Sequence, residues 1–372
     1  MADPQKANDK CFNEIISDNK NKKMKKAQIA GIVLIAVMVV VIYAMLDYNR
    51  VIKPIIVKAP VVLNQGSYTG SDYKGNYVYG AAMNLAWNEL NESIIQEKIK
   101  LNTNDKAALE ITKKLNNAVF TKNDLDEKSY YVKSGFGQKT VDVINRESKE
   151  KFPSKSFADL NVNLRDIDII SYAYFLKEVE YETQFKEKDV LFNGETVKGF
   201  YAEKRTQKEN VIVLYYENDD KFIIKLRLKD NNDELILAKG FDINDPDNII
   251  NVINEKNKYI NSIEESDIFE APNLHLDYHR DYEEMIGKFL ANSGFQDYYI
   301  AQMFENIKFD MDYKGARVEN EAAIIPKWGA KSGPVEIRKF ILNKPYWVVM
   351  KRSDSRNPYF VLGVNNTELM KK

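Results

Sequence analysis

Residues 340–352 read FILNKPYWVVMKR, a strongly apolar run close to the C-terminus. Asn343, Lys344 and Pro345 introduce it, and a long irregular stretch precedes it. Proline cannot donate to a β-ladder, so Pro345 suits the approach to a strand rather than its middle. An ordinary terminal strand needs no such approach. The reason for this placement has to come from the rest of the chain.

With 372 residues there is room for one large domain or two medium ones. Charge is nearly balanced, 54 basic against 55 acidic residues, which argues against a nucleic-acid partner. Cys11 is the only cysteine, so no intrachain disulfide and no thiolate metal site can form. The only histidines are His275 and His279. Most histidine-dependent catalysis and most multi-histidine metal sites are thereby removed, and no catalytic residue, metal or cofactor is assigned.

Ile29 to Leu46 carries no charge, and as a helix it spans roughly 27 Å, close to a bilayer core. Lys20, Lys22, Lys23, Lys25 and Lys26 stand directly before it. The positive-inside rule then keeps residues 1–28 cytoplasmic and exports the bulk of the chain. The run is too long for a cleaved signal peptide, and no clean cleavage site follows it. The expectation is a single-pass membrane protein with 29–46 as the transmembrane helix. Residues 47–75, with their prolines and glycines among short apolar runs, read as a stalk plus an entry strand.

From Asn76 to the C-terminus the pattern is that of one α+β domain, residues 76–372. AAMNLAWNELNESII (81–95) places Met83, Leu85, Ala86, Leu90, Ile94 and Ile95 near one helical face. NDKAALEITKKLNNAV (104–119) is a second helix with Asp105 as its cap, and TVDVINRESKEKF a third. Beyond Pro153, DIDIISYAYFLKEVEYETQF reads as a long β-rich run and NVIVLYYENDDKFIIKLRLKD as a hairpin. DINDPDNIINVINEKNKYI returns to helix; APNLHLDYH is a strand and DYEEMIGKFLANSGF a further helix.

LHLDYHRDYEE sets two histidines four apart beside carboxylates, but a pair without a third defined ligand makes a poor metal site. Strand placement for His275 is the plainer reading. GSYTGSDYKG and KSGFGQKT are glycine-rich, yet neither leads from a strand into a helix with the Lys-Ser/Thr pair of a phosphate loop.

The C-terminal third resembles the serpins, a family of protease inhibitors. NKPYWVVMKRSDSRNPYFVLGVNN is similar to the family's closing segment, with Asn343, Lys344, Pro345 and Tyr346, then Phe360 and Gly363, at the signature places. YKGARVENEAAII resembles the strand and hinge that lead into a serpin reactive loop. LHLDYHRDYEEMIGKFL, SYAYFLKEVEYETQF, LNNAVFTKNDL and NYVYGAAMNLAW are similar to other family segments, in the family's order. Tyr181 and Phe185 stand where a Trp and a Phe are usual. Gly80-Ala81-Ala82-Met83 replaces a Ser-Pro-containing segment that helps the main sheet open, and some family helices are missing or trimmed.

The resemblance implies a serpin-like fold with large mixed or antiparallel sheets, surrounding helices and an exposed reactive-centre-type loop. It also explains the irregular chain before residue 340, since in serpins a protease-exposed loop precedes the last strands. A protease cuts that loop, which then inserts as a new central strand of the main sheet and traps the protease. The implied partner is a target protease of the serine or cysteine type; the chain itself is not an enzyme. The implied hinge is Asn320, Glu321, Ala322 and Ala323. The implied bait residues are Lys327, Trp328, Gly329, Ala330, Lys331, Ser332 and Gly333.

This register puts Asn320, Ala322, Ile324, Pro326 and Trp328 on one strand face. Pro326 cannot donate a ladder hydrogen bond, and Trp328 overfills a slot for small side chains, at about 1–3 kcal/mol. A register with Gly315 as the hinge glycine instead puts Arg317 and Val318 where small residues belong. Two outcomes therefore remain: a membrane-tethered protease inhibitor, or a non-inhibitory serpin-fold ectodomain that binds a partner or has a structural role.

Overall fold

The computed structural model describes residues 68, 70–154, 157–256, 261–316 and 337–371. In it the opening stretch becomes β19 (Tyr346–Arg352), between β11 (Asp233–Lys239) and β20 (Pro358–Val364) of an eight-stranded sheet. Beyond β20 lie β2 (Asn76–Gly80) and β1 (Ser71–Tyr73); beyond β11 lie β10 (Lys221–Leu226), β9 (Val211–Asn218) and β12 (Asn261–Ser262). Every neighbouring pair in it runs antiparallel.

Alternate side chains of β19 divide between two cores. Tyr346, Val348 and Met350 join the larger one, while Trp347 and Val349 point into the other. That second core is closed by Ile249, Ile250 and Ile253 of α5 (Pro246–Lys256). A strand covered on both faces has no solvent side, which is why its sequence is apolar without alternation.

A second sheet has four strands in the order β18 (Lys339–Ile341), β13 (Ile268–Pro272), β8 (Glu195–Tyr201), β7 (Lys186–Phe192). The β18–β13 pair is parallel and the others antiparallel. Among the described residues four two-stranded ribbons complete the β-structure: β4 (Tyr130–Phe136) with β5 (Ile169–Phe175), β14 (Leu274–Asp281) with β16 (Phe304–Met311), β6 (Val179–Glu180) with β17 (Gly315–Ala316), and β3 (Leu101–Asn102) with β15 (Phe289–Leu290).

The helices are α1 (Ala82–Glu89), which runs on as π-helical turns to Ile95, α2 (Lys106–Asn116), α3 (Gly137–Lys151), the short α4 (Arg205–Lys208), and α5. The Asp105 carboxylate accepts from the Ala107 and Ala108 amides at 3.0 and 3.3 Å, the cap expected of it. Met83, Trp87, Ile95, Ala108 and Leu115 pack with Tyr282, Met285 and Leu290 in a third core. Ser171 of β5 donates to the Ala86 carbonyl at 2.6 Å and ties the β4–β5 ribbon to α1.

Two expectations need correcting. DYEEMIGKFLANSGF is not a helix: after a single 3-10 turn at Glu283–Met285 its backbone bonds sideways, Gly287 N to Ile300 O and Leu290 N to Tyr298 O. Gly287 takes φ +75°, a value no right-handed helix contains. The long run after Pro153 is likewise two strands, β5 and β6, broken at Leu176 to Glu178. The Leu176 amide leaves the ladder and bonds to Ser129 O at 2.9 Å.

The apolar run 29–46 and the flanking segments 1–28 and 47–67 lie outside the described residues. Among the described residues no helix is long and apolar enough to cross a membrane.

Candidate functional site

The segment singled out by the sequence lies between β17 and β18. Asn320 to Ala323 and Lys327 to Gly333 fall outside the described residues, so the site is defined by the two stems that bracket them.

The near stem begins with β16. At its end Asp312, Tyr313, Lys314 and Gly315 form a tight turn, with Asp312 bridged to Gly315, and the chain reverses. Gly315 and Ala316 then pair antiparallel with Glu180 and Val179. Gly315 has φ +116°, and a Cβ there would stand 2.8 Å from both Glu180 Cα and Val179 O. Only glycine meets both demands.

Beneath this turn Tyr181 and Phe185 are buried, and Phe185 N donates to Tyr313 O at 2.9 Å. Their rings lie 4.9 Å apart, and Phe185 continues onto Phe200 and Phe269 at 5.4 and 5.1 Å. Among the described residues β5 pairs only with β4, and β16 only with β14. Each ribbon is left with one unladdered edge, and β6 and β17 join their far ends.

The far stem is held differently. Arg338 Nη2 reaches Asp267 Oδ2 at 2.6 Å, and the Arg338 amide donates to Asp267 Oδ1 at 3.1 Å. Asp267 is 1% exposed, so the bond to Arg338 shields a carboxylate that has little water. The same contact holds the guanidinium above its ordinary pKa. Lys339 N donates to Asp219 Oδ1 at 2.9 Å, and Phe340 is fully buried against Tyr216 and Phe222. Lys239, 2% exposed, gives its ammonium to Ile341 O, Asp219 O, Asn343 Oδ1 and Asp220 Oδ1 at 2.8–3.0 Å. Burial pulls that ammonium below its usual pKa, with Asp220 opposing.

The signature residues follow directly. Asn343 is a partner of Lys239, Lys344 pairs with Asp220 at 2.8 Å, and Pro345 leads into β19. Tyr346 is fully buried beside Phe192, with ring centroids 6.0 Å apart. The two histidines sit on the outward face of the β14–β16 ribbon, His275 bonded to Asp310 and His279 to Asn306 at 2.6 and 2.7 Å. Among the described residues no group of three metal-ligating side chains occurs.

Arg338, Asp267, Asp219 and Lys239 carry the far stem, and none stands in a recognisable motif. Glu305 of β16 is another such residue. In FENIKFDM the inward positions are Glu305, Ile307, Phe309 and Met311, so a carboxylate on the apolar phase is the signal that marks it.

No protein-family model matches the chain, and no curated protein matches it. Among solved structures the chain is similar to Serpin48, a highly specific serpin of the insect Tenebrio molitor. That match has 14% identity and a TM-score of 0.46, covering 79% of this chain and 92% of the other. It is similar to mouse protein Z-dependent protease inhibitor at 12% identity and TM-score 0.46, covering 79% and 91%. It is also similar to the thermophilic serpin Tengpin in the native state, at 15% identity and TM-score 0.47, covering 80% and 90%. At these identities and scores nothing about activity follows from the likeness.

Proposed function

We propose that the domain is of serpin type and acts as an endopeptidase inhibitor, with Asn320 to Ala323 as the hinge and Lys327 to Gly333 as the bait for a target protease. The observation that carries the reading is the reversal at Asp312 to Gly315. A loop that leaves β16 and turns back antiparallel along β6 already points in the direction an inserted strand must take. The unladdered edges of β5 and β16 supply donors and acceptors for such a strand. The far stem, pinned by Arg338 and Lys239, gives the segment a fixed second end.

A non-inhibitory binding or structural ectodomain is the second reading, and Pro326 and Trp328 favour it. One experiment separates the two. Trypsin is added to the purified chain, with Lys327 and Lys331 as expected cut sites, and the products are run on SDS gels and melted. An SDS-stable covalent complex, with a rise of tens of degrees in the melting temperature of the nicked chain, supports inhibition. Clean cleavage with a shift of a few degrees, about 1 kcal/mol or less on the usual scaling, supports the second reading.

The reading also includes a membrane tether at 29–46, supported by the five preceding lysines. Cys11 is then cytoplasmic. A membrane-impermeant thiol reagent should leave it unmodified in intact cells and label it once the cells are permeabilised. Efficient labelling of intact cells would reverse the orientation.

A further inference from the structure

Glu305 is buried on β16, at the uncapped start of α1. Ala81, the residue in the capping position, offers no side-chain acceptor. Glu305 Oε1 occupies the space over Gly80, where a Cβ would come within 3.2 Å of it, and makes no well-formed hydrogen bond, although the Met83 amide acts on the carboxyl. Oε2 accepts from the Tyr282 hydroxyl at 3.2 Å. One residue beyond Met83, Asn84 is fully buried with both side-chain polar atoms unpartnered. Such a site suits a neutral carboxyl better than an ion.

The charge nearby is that of Arg280, which stands opposite Glu305 across the β14–β16 ladder. From β14 and its continuation come Arg280, Tyr278 and Tyr282, with the Arg280 guanidinium 3.9 Å from the Tyr282 ring centroid. From β2 come Tyr77 and Tyr79, both held neutral by burial. α1 supplies the Met83 amide and no charged group, and β20 supplies Phe360, stacked on Phe309 at 4.6 Å.

We propose that Glu305 is a protonation latch: neutral, it holds β16 against the first turn of α1; ionised, it frees β16 and the near stem of the bait segment. Burial raises its pKa from 4.5 to about 7, with Tyr282, Arg280 and the Met83 amide pulling the other way. Because the group is neutral when packed and free to ionise when released, opening becomes easier as pH rises from about 4.5 and levels off above about 7. The latch concerns the strand feeding the proposed bait and does not depend on that reading, since no protease enters its test.

The test is amide hydrogen exchange on the full chain in detergent, at pH 6 and pH 8, corrected for intrinsic rates. Protection over 304–311 should fall roughly tenfold between the two in the wild type. It should stay level in Glu305→Gln, which is neutral at both values. Equal pH dependence in the two proteins would overturn the latch. Should the variant not fold, a carbon-13 titration of the wild-type carboxyl decides. A midpoint near 7 that rises in Tyr282→Phe supports the latch, and a midpoint below 5 refutes it.

Discussion

Replacing Arg338 with alanine should cost about 3 kcal/mol of stability and loosen the far stem of the loop. Asp267 is almost wholly buried, and its carboxylate oxygens are taken up by the Arg338 side chain and amide and by the Glu264 amide. Removing the guanidinium leaves that carboxylate with backbone donors alone. β18 is a three-residue edge strand laddered to β13, with Lys339 N on Asp219 and Ile341 O on Lys239 as further ties. The expected readouts are a melting temperature lower by roughly 5 °C and a new tryptic cut after exposed Lys339. Arg338→Lys keeps the charge but loses the forked geometry, and should fall between. An unchanged melt would mean that Lys239 and Asp219 hold the stem without it.

Trp347→Ala should be at least as damaging, at about 3–5 kcal/mol, or roughly 5–10 °C in a domain of this size. Trp347 is fully buried at the centre of the eight-stranded sheet, 5.6 Å from the Tyr77 ring centroid. Its indole donates to Asp242 O at 3.1 Å. The ring lies over Gly363, where a Cβ would come within 3.0 Å of it, so the glycine itself has no side chain to fill the vacancy. Trp347→Phe keeps most of the volume and loses only the Asp242 bond, and should cost about 1–2 kcal/mol. Because β19 follows directly on Asn343, this loss reaches the anchoring of the loop as well as the core. A trypsin digest of Trp347→Ala below its melt should therefore show faster cutting near Lys339.

What could be read from the sequence was local. The Asp105 cap, the β9–β10 hairpin around Asp219 and the amphipathic α5 depend on neighbours a few residues away, and they form as expected. DYEEMIGKFLANSGF shows where local reading fails. Its apolar spacing suits a helix, but Met285 and Leu290 are claimed by a core built from α1 and α2, nearly two hundred residues earlier in the chain. The pins of the far stem were illegible for the same reason. Asp219 reads as a turn residue and Lys239 as the end of a strand, and neither hints that it binds residues 339 to 343. Glu305 lies in FENIKFDM, a strand not picked out from the sequence, and its role needs the sight of an uncapped helix beside it.

The strand order of the large sheet has a bearing on how the protein is made. Among the described residues β1 and β2 are its first strands to leave the ribosome, yet β2 pairs only with β1 and with β20, the last of them in chain order. Asn76 reinforces that junction, accepting from the Asn365 amide at 2.8 Å and donating to Asn366 Oδ1 at 2.9 Å. During synthesis the β1–β2 hairpin therefore waits with an open edge while almost the whole domain is translated. β9, β10 and β11 can zip together earlier, but β11 lacks its second partner until β19 appears. Closure of the sheet is a late event of high sequence separation, slow by its topology. A chain that stalls before Pro358 presents two unpaired edges at once, β2 and β19, and is the form most exposed to aggregation.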